Sequence, residues 1–169
     1  MVASRLAFIK EVVGKPVTEQ YPYKAVAVPE GFRGKPVIDP AKCLGCGACA
    51  NACPPGALSI HDEDGYRVLR LFLGRCIFCG RCQEVCPVGA LRLTREFELA
   101  STSRDDLVQE VRLVLEKCSM CGKPVATRRE IVFVEQMLPA DQRWLVHLCP
   151  ECRALVSAKI IGYVRGCNR

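Results

Sequence analysis

The chain has 169 residues, half of them apolar, with thirteen cysteines and a formal net charge of +6. That length suits one ordinary domain or a small domain with attachments. No run reaches the ~18 apolar residues of a membrane span, and Lys10, Glu11 and Lys15 break the apolar stretch that a secretory signal would need. The chain therefore reads as intracellular, where thiols stay reduced and clustered cysteines more often bind metal than pair with one another. An odd cysteine count also argues against a closed set of disulfides.

Residues 1–42 read as an N-terminal docking helix followed by an extended arm. Leu6, Ile9 and Val13 fall at helical spacing, Phe8 and Val12 widen the stripe, and Gly14 and Pro16 end it. The stripe suits docking on protein better than lying on a membrane surface, because it is short and weakly basic. The stretch "YPYKAVAVPEGFRGKPVIDP" is rich in Pro and Gly and reads as extended.

Residues 43–99 contain an internal repeat. "CLGCGACANACPPGAL" runs from Cys43 to Leu58, and "CIFCGRCQEVCPVGAL" from Cys76 to Leu91, thirty-three residues later. A short repeat built around cysteine is a repeated site rather than a solenoid. Between the copies, "ALSIHDEDGYRVLRLF" predicts a hairpin turning at Asp62–Gly65, and "ALRLTREFEL" predicts a further strand. Such short elements leave little room for an apolar core, so bound metal would supply cohesion.

In residues 100–169, Ser103 and Asp106 are placed to open a helix. Leu107, Val111 and Val114 continue its face to about Glu116. "REIVFVEQML" is ambiguous between helix and strand, and "RALVSAKIIGYVRG" reads as a helix ending near Gly166.

The pattern C-x2-C-x2-C-x3-C-P occurs twice, and it has a specific chemistry. Three cysteines wrap one 4Fe–4S cubane, and the fourth, followed by proline, turns toward the other cluster. Cys43, Cys46, Cys49 and Cys86 are thus expected to hold one cluster, and Cys76, Cys79, Cys82 and Cys53 the second. Gly47 and Gly80 let the backbone approach the clusters and present N–H groups to sulfur. Ile77 and Phe78 are candidates to shield one cluster from water. Neither structural zinc nor disulfides account for the fourth cysteine and its proline in both copies.

"CSMC" and "CPEC" form a separate set. Cys118, Cys121, Cys149 and Cys152 make two C-x2-C knuckles that can give four thiolates to one tetrahedral ion. Zinc is the expected ion, with mononuclear iron as the alternative. Cys167 reads as a free thiol, and His61 and His147 as surface or packing residues. No Walker loop, Rossmann glycine set or Ser-His-Asp arrangement is visible, so no substrate-converting site is expected. The basic excess invites a nucleic-acid reading, yet the cations are dispersed and Arg128–Arg129 is their longest arginine run. Two clusters and one zinc site, each carrying roughly −2, would neutralise the excess.

The twin motifs resemble bacterial-type two-cluster ferredoxins over residues 43–93. "QYPYK" and "FRGKPVIDPAKCLGCGACANACP" resemble the eight-iron subunit of respiratory complex I and of membrane-bound NiFe hydrogenases. "LGRCIFCGRCQEVCPVGALRLTREFELA", with the Cys118–Cys152 tail, is similar to the iron–sulfur subunit of the formate hydrogenlyase type. The resemblance implies an α+β fold: a two-cluster ferredoxin domain with a helical and extended N-terminal arm and a C-terminal helix plus zinc-knuckle tail. It implies a subunit that catalyses nothing alone. Such a subunit relays electrons from an electron-input iron–sulfur module to the small subunit of a NiFe hydrogenase, which serves the large subunit. It would sit peripherally on the cytoplasmic face of the inner membrane, with the tail organising a docking surface. The alternatives are a subunit of a quinone-linked, complex I-like dehydrogenase, a free soluble ferredoxin, and a nucleic-acid-binding zinc ribbon.

Overall fold

The computed structural model describes Val13 and residues 18–166, with backbone alone from residue 160. The predicted N-terminal helix, apart from the helical backbone of Val13, lies outside the described residues, as does Cys167. The chain divides into two compact units, Met1–Phe32 and Arg33–Arg169. In the first, residues 18–32 form turns and extended chain, with Lys24 N–H donating to Gln20 O at 2.9 Å and Phe32 N–H to Pro29 O at 3.2 Å.

The second unit begins inside the stretch read as arm. Strand β1 (Pro36–Ile38) pairs antiparallel with β4 (Leu91–Leu93), setting Pro36 opposite Leu93 and Ile38 opposite Leu91. Gly34 and Lys35 extend this pairing by donating to Thr94 O and Glu96 O. Residues 33–40 therefore pack with the cysteine repeat, because β1 needs β4 to satisfy its backbone.

The repeat follows as two β-loop-α-β copies. The first comprises β1, the short helix α1 (Ala48–Asn51) and β2 (Leu58–Glu63); the second comprises β3 (Tyr66–Phe72), α2 (Arg81–Glu84) and β4. The predicted hairpin is present, with β2 and β3 joined by Asp64–Gly65 at φ 51° and 81°. Both positive angles suit the two-residue turn whose twist matches that of the strands, hence Asp-Gly.

The predicted helix over 103–116 does not form. Residues Asp105–Leu107 make one 3-10 turn, and Val108–Lys117 form a ten-residue strand, β5, against the free edge of β3. The segment carries two periods. Its helical stripe would bury Val114, but its alternation buries Val111, Leu113 and Leu115, at 6, 9 and 8 % exposure, and leaves Val114 62 % exposed. An unpaired β3 edge supplies the backbone partners that decide for strand.

Strand β6 (Pro124–Thr127) completes a sheet of order β2-β3-β5-β6. The ambiguous segment becomes helix α3 (Arg128–Glu135), capped by Thr127. Helix α4 (Pro150–Gly166) opens on a proline, whose missing N–H costs nothing at a first-turn position. The main core is thin: Leu58, Leu69 and Leu71 from the hairpin, with Leu73 just after it, meet Ile38, Leu91, Val111 and Leu113, with Cys43 and Cys49 among them. A second small core surrounds the tail cysteines with Val125, Leu145, Leu148 and Val156.

Candidate metal centres

Two apolar cavities flank the repeat. Cys43, Cys46, Cys49 and Cys86 line the first. Cys53, Cys76, Cys79 and Cys82 line the second. Each cavity thus takes three cysteines from one copy of the repeat and the fourth from the other. The exchange follows from topology, since β1 pairs β4 while β2 pairs β3.

The Cys-Pro-x-Gly-Ala endings have a common geometry. Gly56 and Gly89, at φ 62° and 61°, donate to Cys53 O and Cys86 O at 3.2 and 3.3 Å. The turn then aims Ala57 N–H at Cys53 Sγ (3.2 Å) and Ala90 N–H at Cys86 Sγ (3.1 Å). These amides stabilise negative sulfur. Gly47 and Gly80 sit just before α1 and α2 in left-handed conformation, at φ 76° and 82°.

Without metal, Cys43, Cys49, Cys76 and Cys82 are poor thiolates. Burial raises Cys43, Cys76 and Cys82, and pushes Cys49 up to about 12. Buried thiols of this kind, gathered in fours around an apolar cavity, make a weak nucleophilic site but a good iron site, since iron displaces thiol protons and compensates thiolate charge. The donor sets therefore fit two iron–sulfur clusters.

Among the differences between the two ligand loops is the residue before the second cysteine. Gly45 has φ 77°, and a β-carbon there would come within 2.9 Å of Thr127 Cγ2 and 3.0 Å of Leu113 Cδ1. Its equivalent is Phe78, which holds φ 53° with a full side chain. Phe78 and Ile77 both line the second cavity, with Ile77 60 % exposed at its rim.

The tail brings the four predicted cysteines together. The Sγ atoms of Cys118, Cys121, Cys149 and Cys152 all lie within 4.8 Å of one another. Thiolates at ~2.3 Å from a tetrahedral ion stand about 3.8 Å apart, so a small contraction would close the set. Cys149 N–H donates to Cys118 Sγ at 3.3 Å, and Cys152 N–H to Cys149 Sγ at 3.4 Å. The Cys149 amide draws the Cys118 thiol down, whereas the Cys149 thiol pushes Cys152 up. Cys118 thus ionises readily, and a dication would compensate its charge. Gly122, at φ 74°, closes the first knuckle by donating to Cys118 O. His147 bonds Glu135 through Nε2 at 2.8 Å, and His61 pairs Glu63 at 3.6 Å.

Other side chains near the first cavity escaped the sequence reading. Thr127, 1 % exposed, donates from Oγ1 to Leu44 O and accepts from Glu130 N–H at 3.2 Å. Arg129 donates to Pro40 O and to Cys43 O. Arg67 ties Asp62 (2.8 Å) to Glu130 (3.1 Å) and reaches Gly45 O at 3.4 Å. The T-R-R-E spacing of Thr127 and Glu130 is a legible helix-start signal; their contacts with the cysteine loop have no sequence signature.

Several known proteins resemble this chain. The 4Fe-4S dicluster domain family matches residues 42–90 and 75–127, together about half of the chain. Formate hydrogenlyase subunit 6 of Escherichia coli is 43% identical over 156 residues, covering 86% of this chain and 87% of that protein. NADH-quinone oxidoreductase subunit I of Pseudomonas entomophila is 45% identical over 104 residues, covering 55% of this chain and 57% of that one. In the solved membrane-bound sulfane sulfur reductase, an archaeal respiratory membrane complex, one chain matches with TM-score 0.45 and 32% identity, covering 59% of this chain and 55% of that chain. The chain belongs to the 4Fe-4S dicluster family of ferredoxin-type electron-transfer subunits that includes formate hydrogenlyase subunit 6, and its role is to carry electrons within a larger oxidoreductase rather than to catalyse a reaction alone.

Proposed function

We propose that this chain relays electrons between an electron-input iron–sulfur module and the small subunit of a membrane-bound NiFe hydrogenase of the formate hydrogenlyase type. Cys43, Cys46, Cys49 and Cys86 hold one 4Fe–4S cluster; Cys76, Cys79, Cys82 and Cys53 hold the other. Each cluster supplies one-electron storage at nearly fixed geometry. The chain's own work is to keep the cavities apolar, to direct the Ala57 and Ala90 amides at sulfur, and to hold the two cavities side by side. Cys118, Cys121, Cys149 and Cys152 hold one zinc, which closes the tail as a docking surface. The complex would lie peripherally on the cytoplasmic face of the inner membrane; no helix among the described residues is long and apolar enough to cross one.

The observation carrying this choice over a quinone-linked dehydrogenase is the extent of the match. Similarity to formate hydrogenlyase subunit 6 extends over 86% of the chain, against 55% for the NADH-quinone oxidoreductase subunit. The test is to isolate the tagged chain anaerobically from its own organism in mild detergent, then identify companions and measure nickel, iron and zinc. A NiFe large subunit with stoichiometric nickel supports the hydrogenase relay. Complex I-type companions without nickel would replace it with a quinone-linked relay, and a lone chain would mean a soluble carrier.

A further inference from the structure

The two cysteine loops are treated unequally by the rest of the molecule. Three successive carbonyls of the first loop accept side-chain hydrogen bonds: Cys43 O from Arg129, Leu44 O from Thr127 and Gly45 O from Arg67. Arg129 and Thr127 belong to the corner between β6 and α3, so the tail grips the loop that carries Cys43 and Cys46. The equivalent carbonyls of the second loop, at Cys76, Ile77 and Phe78, receive no such side-chain bond among the described residues. There, Arg33 alone reaches in, from Nη1 to Cys79 O at 3.4 Å.

The two guanidiniums beside the first loop also differ. Arg67 is neutralised by Asp62 and Glu130. Arg129 bonds only backbone carbonyls, and no carboxylate among the described residues pairs with it. An uncompensated cation beside a cluster favours the state with one more negative charge, which is the reduced one.

We propose that Arg129 is a positioning residue for the cluster bound by Cys43, Cys46, Cys49 and Cys86: its Nη1, donating to two carbonyls, fixes the ligand loop, and its charge raises that cluster's reduction potential relative to its neighbour's. The tail thereby biases which cluster of the relay fills first. This rests on the cluster assignment proposed above. The change it governs is a single electron accepted from one redox partner and passed to the next, with no bond made or broken.

The experiment is a potentiometric titration of the full chain, reconstituted with iron and sulfide without oxygen and followed by electron paramagnetic resonance. Iron content is measured first, for wild type, Arg129→Gln, Arg129→Lys and Arg33→Gln. In R129Q one of the two one-electron steps should move to lower potential, with an about tenfold smaller reduced fraction at fixed ambient potential, equivalent to about 59 mV. R129K keeps the charge and should recover most of that shift, while R33Q should move the other step. Loss of one cluster's iron in R129Q but not in R129K would also support the grip. Unmoved steps in an R129Q chain holding both clusters would overturn the proposal. So would equal movement of both steps, or R129K and R129Q behaving alike. A wild-type chain with iron for only one cluster would instead refute the assignment of the eight cysteines.

Discussion

Replacing Thr127 by valine keeps the shape and removes one hydroxyl. That hydroxyl donates to Leu44 O in the loop between Cys43 and Cys46, and it accepts the Glu130 amide that opens α3. At 1 % exposure, water does not replace it. An orphaned buried carbonyl costs about 1–3 kcal/mol, and a lost threonine cap about 1 kcal/mol. Together these give about 2–4 kcal/mol, or roughly 30- to 700-fold in a local opening constant at 1.4 kcal/mol per decade. Native-state hydrogen exchange reads this on the cluster-loaded chain. Peptides covering 40–46 and 128–136 should exchange faster together, while the β1–β4 pair should be unchanged. Thr127→Ser keeps the hydroxyl and should stay near wild type. If T127V leaves both peptides as protected as before, the hydroxyl does not join tail to loop and the reasoning fails.

Three further outcomes follow from the same geometry. Cys149→Ser removes the sulfur that accepts the Cys152 amide and lies 3.5 Å from Cys121 Sγ, so purified chain should lose the zinc proposed for the tail yet keep the iron proposed for the repeat, as measured by plasma mass spectrometry. Gly45→Ala must hold φ 77° and place a β-carbon 2.9 Å from Thr127 Cγ2. It should cost more than Gly56→Ala, where φ is 62° and nothing lies within 4 Å, because the left-handed strain of about 1–2 kcal/mol is common to both; the comparison is made by thermal bleaching of the cluster absorbance. Burial raises the Cys49 thiol from its ordinary 9.0 to about 12. The metal-free chain should therefore keep that stabilisation below pH 9 and lose it as pH rises toward 12, since only the unfolded thiol ionises there. Cluster-loaded chain should lack this loss, because its ligated sulfurs no longer titrate; alkaline unfolding of the two forms, followed by circular dichroism, makes the comparison.

The sequence by itself determined what depends on local spacing. Two C-x2-C-x2-C-x3-C-P runs identify a repeated iron–sulfur motif, because three ligands of one cubane come from one closely spaced run and the fourth, before proline, serves the other cluster. Asp64-Gly65 marked the hairpin, because few other pairs accept two positive φ angles in succession. The two C-x2-C knuckles could be recognised for the same reason, and the structure brings their sulfurs within 4.8 Å across 27 intervening residues.

What only the tertiary structure decided was the fate of segments with two admissible patterns, and the contacts between distant ones. Leu107, Val111 and Val114 fit a helix, yet residues 108–117 became strand because β3 offered an open edge. Residues 33–40 looked like arm and became part of the ferredoxin unit because β4 required a partner. Thr127 and Arg129 carried no visible link to Leu44 and Cys43, more than eighty residues away. Hydrogen bonds of that range leave no period in a sequence. They exist because β5 and β6 extend the sheet just far enough to set the start of α3 against the first cysteine loop, where burial obliges each polar group to find a partner.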